Sequence, residues 1–98
     1  MNATAKFPLG QLVATPDALR CLEESGQTAA FFLDFHSQGN WGDVCPEDWQ
    51  ANDLALVDGS RILSAYRTLK GVKIWIITEA TDDDGQREST CVLTPDEY

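Results

Sequence analysis

The chain of 98 residues carries sixteen acidic and seven basic side chains, a net charge of −9, with 43% hydrophobic and 23% charged residues. That length sets one domain with one modest core, and that composition excludes a disordered chain. No apolar run reaches the roughly 18 residues of a membrane helix, and the first residues lack the charged-then-apolar order of a secretory signal, so the expected compartment is the cytoplasm.

The stretch FPLGQLVAT at 7–15 reads as a short strand or extended arm. TPDALRCLEESG follows with helix punctuation: Thr15 to cap, Pro16 at the first helical position, Asp17 at the positive end of the dipole, and Gly26 to stop. Leu19 and Leu22, with Ala18, Cys21 and Ser25, make its expected inner stripe. A second helix over 28–38 is apolar around most of its circumference through Phe31, Phe32, Leu33 and Phe35. It is expected to be the most buried helix. A loop at 39–45 leads to a third helix from Pro46 to Gly59, with Trp49, Leu54, Leu56 and Val57 as its apolar members. RILSAYRT, VKIWIITEA and ESTCVLT then read as strands joined by short turns, which pair antiparallel. Val72, Ile74 and Ile76 share one face of the middle strand and Lys73, Trp75 and Ile77 the other. The expected fold is α+β: about three N-terminal helices packed on a C-terminal antiparallel meander of three strands, with the N-terminal arm as an optional added strand.

Charge is unevenly placed. Over 15–60 there are nine acids and one base, Arg20. Over 61–81 the sign flips, with Arg61, Arg67, Lys70 and Lys73 against Glu79. So negative a chain repels phosphate backbones, which disfavours nucleic acid and favours a protein partner with a basic surface.

The densest chemistry lies in DFHSQGNWGDVCPEDW at 34–49. His36, the sole histidine, reads either as a general base or as a helix-end residue that bonds frayed carbonyls. Asp34, His36, Asp43 and Cys45 match no zinc framework, so neither a metal nor a cofactor is expected. The odd set Cys21, Cys45 and Cys91, without CxxC spacing, reads as reduced thiols. Trp41, Asp43, Glu47 and Asp48 are the candidate partner-binding residues. Arg61 and Arg67, six apart, would share a face and could meet phosphate beside Thr78 or Thr90. The acidic tip 82–85 reads as a solvated hairpin turn.

Four stretches, FPLGQLVATPDAL, FHSQGNWGDVC, LVDGSRILSAYR and WIITEA with the closing TCVLTPDEY, resemble a family of small plasmid-related proteins of bacterial mobile elements, along nearly the whole chain. Some members carry a label as a type I restriction methylation subunit. A chain this short has no room for a methyltransferase domain, and it holds no glycine-rich cofactor loop. The resemblance implies a mobile-element setting in a bacterial cytosol and brings no catalytic residues. The last hairpin, around DDDGQRE, is longer here than in such relatives.

Three functions follow as expectations. The first is a non-catalytic accessory protein, monomeric or a small homo-oligomer, that binds a basic protein partner and antagonises host nucleic-acid machinery such as restriction or CRISPR complexes. The second is a metal-independent ribonuclease or toxin with His36 as base and Arg61 and Arg67 on phosphate. The third is a ligand-binding or self-associating module that displays Trp41 or Trp75.

Overall fold

The computed structural model describes residues 5–98. The chain runs β1 (Gln11–Ala14), α1 (Pro16–Ser25), α2 (Ala29–Ser37), α3 (Pro46–Asp58), β2 (Ile62–Arg67), β3 (Lys73–Thr78) and β4 (Ser89–Leu93), then one 3-10 turn, Pro95–Glu97. Helix ends fall where the punctuation put them. The Thr15 hydroxyl accepts from the Ala18 N–H and the Thr28 hydroxyl from the Phe31 N–H. Gly26 and Gly59 close α1 and α3 in the left-handed region, at φ 72° and 82°.

The sheet order is β1-β4-β3-β2. β2, β3 and β4 form the expected antiparallel meander, but β1 joins β4 in parallel, so the sheet is mixed and four-stranded. Three helices and two strands separate β1 from β4 in the chain, so no hairpin turn dictates their relative direction.

All three helices pack toward the inner face, where Ile62, Ser64 and Tyr66 meet Ile74, Ile76 and Thr78, then Thr90 and Val92. One core cluster joins Ala18 and Leu22 of α1 and Phe32 and Leu33 of α2 to that face. A second joins Phe7, Trp41, Ala55 and Ile62. Each fully buried large side chain contributes about 1.5–3 kcal/mol. On the outer face, Tyr98 stacks edge-on against Trp75, with the Arg61 guanidinium over its ring.

Helix rotation differs from the expected stripes. Leu19, Phe31, Phe35, Leu54 and Val57 are exposed, and α3 buries Asn52 and Ala55 instead. The reason lies at the β2 edge. The Asn52 side chain donates to the Leu63 carbonyl and accepts from the Leu63 N–H. Next along the edge, the Ala65 N–H donates to the Trp41 carbonyl and the Asp43 N–H to the Ala65 carbonyl. An amide side chain and a loop thus stand in for a strand. Gly42, at φ 74°, permits this approach, since a Cβ there would fall on the Ala65 carbonyl. Turning Asn52 inward turns Leu54 and Val57 out.

Asn52→Ala removes both bonds and leaves the Leu63 N–H and carbonyl unpaired. Urea unfolding should show a loss of about 2–4 kcal/mol. Asn52→Asp, which keeps the acceptor alone, should fall between that variant and the unaltered protein. Equal stability of all three would mean the edge is held by other groups.

Candidate functional site

His36 lies in the last turn of α2, and the inward face of that helix sets it between the two core clusters. It is fully buried. Its Nδ1 is 2.5 Å from the Ser64 hydroxyl of β2, and its Nε2 is 2.8 Å from the Thr78 hydroxyl of β3. Thr78 is 2.7 Å from the Thr90 hydroxyl of β4, and Thr90 donates to the Leu9 carbonyl. These contacts fix every proton. Thr90 spends its proton on Leu9, so Thr78 must donate to Thr90. Nε2 must then donate to Thr78, which leaves Nδ1 to accept from Ser64. The imidazole is therefore the neutral Nε2–H tautomer.

Its surroundings hold it there. The Phe7 and Trp41 rings meet it edge-on at 5.3 and 5.7 Å between centroids. Burial, and then the positive Arg87, push its pKa down from 6.5 to about 3. Arg87 itself is buried over the Phe7 ring and donates to the carbonyls of Ala55, Ser60 and Glu79.

A serine hydroxyl on a histidine nitrogen is the first half of a nucleophile–base pair. Here it lacks what the chemistry needs. The second nitrogen meets a threonine hydroxyl instead of a carboxylate, so no negative group stabilises an imidazolium. Ser64 and His36 are both fully buried, and neither lines any of the four principal surface recesses. The group is a structural crosslink.

The arginines stand apart from it. Ser64 faces inward, so Arg61 and Arg67, at odd positions on the same run, face outward. Six residues of strand separate them by about 20 Å, too far to share one phosphate. Arg61 covers Tyr98, and Arg67 pairs with Asp43 at 3.3 Å. Thr78 and Thr90 are consumed by the His36 chain. Glu47 and Asp48 are exposed in the first turn of α3, and Asp48 shares a small recess with Arg61. Trp41, a candidate partner-binding residue, is fully buried, its indole N–H donating to Asp53. Trp75 is half-buried against Tyr98. Asp82 folds the acidic tip on itself by accepting from the Asp84 and Gln86 N–H groups. Among the described residues no three of His, Cys, Asp and Glu come together as a metal-binding group.

The candidate site is a recess of about 620 Å³ between α2 and the far end of β2. Phe31, Phe35, Tyr66 and Leu69 supply its apolar wall, and Asp43 and Arg67 its polar rim. Phe31 is 49% exposed and Leu69 81%. Phe31 stands edge-on to both Phe32 and Phe35, which fixes the rings without covering them. The Tyr66 hydroxyl donates to the Asn40 carbonyl, and burial pushes its pKa up to about 12, so it stays protonated. Gln27 accepts from the Leu69 N–H and ties the β2–β3 turn to the α1–α2 link. The apolar run of α2 does not by itself fix the rotation of the helix, so Phe31 and Phe35, expected within a largely buried helix, lie on its outer side. Together these side chains form a grouped, exposed apolar patch.

No family model matches the chain, and no curated protein or solved structure matches it.

The buried histidine sets a pH response. Unfolding frees His36 to charge near pH 6.5, whereas in the fold it stays neutral down to about 3. The unfolded state therefore takes up more protons below 6.5, so this contribution is complete above pH 6.5 and is lost as pH falls toward 3. The slope is about 1.4 kcal/mol per pH unit. Urea unfolding at pH 5 should show about 2 kcal/mol less stability than at pH 7. His36→Gln should abolish most of that difference while lowering stability at both pH values. An unchanged slope in the variant would assign the response to other groups.

Proposed function

We propose that this protein is a non-catalytic interaction module that binds a protein partner carrying a basic surface with an apolar anchor. The observation that carries this is the fixed, exposed aromatic wall of Phe31, Phe35 and Leu69. The anchor enters the recess, and the carboxylates of the helical layer set its orientation. Support for a basic partner comes from charge. Among the described residues only Asp17 and Asp43, of sixteen acidic side chains, make an ion pair. Exposed carboxylates such as Glu47 and Asp48 carry no ion pair and can meet a partner's cations. His36, fully buried and held neutral, lends the ribonuclease reading no support. Among the described residues no helix is long and apolar enough to cross a membrane. The resemblance to plasmid-related proteins supplies a setting on a bacterial mobile element. There a small acidic chain would occupy basic surfaces of host restriction or CRISPR machinery.

Affinity capture from a bacterial host lysate, with partners identified by mass spectrometry, tests this. The recovered partner should be basic and should elute as salt rises. A Phe31→Ser, Phe35→Ser double variant, checked by circular dichroism to be folded at the assay temperature, should bind it about tenfold or more weakly. Recovery of partners that ignore both salt and the double variant would count against the reading. Cleavage of RNA by the purified chain would end it.

A further inference from the structure

The two edges of the sheet are treated oppositely. The β2 edge is covered by Asn52 and by Trp41 to Asp43. Among the described residues nothing pairs with the outer side of β1. The N–H groups of Gln11 and Thr15 donate to the Glu88 and Val92 carbonyls on the β4 side. By the alternation of a strand, Leu12 and Ala14 therefore aim their N–H and carbonyl groups outward. Within β1 itself no charged residue or proline blunts the edge. Leu12 is 54% exposed and Val13 43%. The register aligns Val13, Cys91, Ile77 and Leu63 as one apolar row across the outer face, and that row stops uncovered at Val13.

Acidic residues bracket the edge. Glu88 adjoins Gln11 at its start. At its end the Thr15 hydroxyl donates to Glu97, next to Asp96, and Asp17 follows in α1. The one nearby base of α1, Arg20, is paired with Asp17. We propose that β1 is a docking edge that accepts an extended, basic segment of a partner protein as a fifth strand. Main-chain bonds to Leu12 and Ala14 hold the segment, alternate apolar side chains extend the Val13 row, and its cations meet Glu88 and Glu97. A second copy of this chain fits less well, because pairing β1 with β1 brings the same carboxylates together. The partner's sign rests on the charge reading above. The surface does not rest on the aromatic recess.

The probe is a short peptide alternating lysine and valine, added to the full chain while amide exchange is followed by NMR. The Leu12 and Ala14 amides should exchange about tenfold more slowly or better with peptide present. Gln11 and Val13 should change less. A glutamate–valine peptide should have no effect. Leu12→Pro removes an outward N–H and leaves the bonds to β4, so it should abolish the response at Ala14. The Phe31→Ser, Phe35→Ser variant should keep the response, which separates this edge from the recess. Absence of slowing in the folded chain overturns the proposal, as does equal slowing by both peptides. Concentration-dependent slowing without peptide, with a dimer in sedimentation, assigns the edge to a second copy instead.

Discussion

One hydrogen-bond chain, from Ser64 through His36, Thr78 and Thr90 to the Leu9 carbonyl, constrains the rest of the molecule. It touches β2, α2, β3, β4 and the N-terminal arm in turn. It runs in one direction only, because the carbonyl at its end can accept and never donate. A register slip of one residue in β2, β3 or β4 would turn a hydroxyl to the outer face and break it. Each broken link would leave a buried polar group unpaired, at about 1–3 kcal/mol. The chain thus acts as a register lock in a sheet whose other inward residues, such as Ile62, Ile74 and Ile76, fit one another with little directionality.

The same lock decides what the surface shows. With His36 turned in, helical spacing turns Phe32 and Leu33 in as well and carries Phe31 and Phe35 out. The exposed aromatic wall is therefore a consequence of how the histidine is bound. Arg87 acts at the other end of the same stack. Its guanidinium meets three carbonyls, one of them Ala55 in the last turn of α3, where the helix dipole is negative. Across Phe7 its charge also disfavours protonation of His36.

Much of this was legible in the sequence, and the unreadable parts share a cause. Caps and glycines act within a few residues, so the bounds of α1, α2 and α3 followed from Thr15, Thr28, Pro46 and Gly59. The meander followed from short turns. Features that depend on distant residues did not follow. The direction of β1 is set by contacts with β4, far along the chain. The rotation of α3 is set by Asn52 reaching a strand edge. The burial of Trp41, a candidate binding residue, did not follow either, because its indole partner, Asp53, lies on another element. One signal was present and usable. Ser64, Thr78 and Thr90 occupy inward positions of otherwise apolar strands, and small hydroxyls there call for a buried polar partner. His36 was the one uncommitted side chain able to serve several at once.

The crosslink and the acidic surface respond to acid in opposite senses. Carboxylates without cationic partners repel one another and weaken the compact state, and screening or protonation relieves that strain. His36 does the reverse, since acid draws it toward a charge the core cannot hold. Near neutrality the histidine is silent, and surface repulsion is the charge effect that a partner can remove. A cationic partner would stabilise the fold by lifting that repulsion, in proportion to its charge and less so at high salt. An apolar anchor in the Phe31 and Phe35 recess would add a contribution that salt leaves unchanged. The buried histidine, with its pKa near 3, takes no part in either, so the fold keeps its core chemistry and its surface chemistry independent.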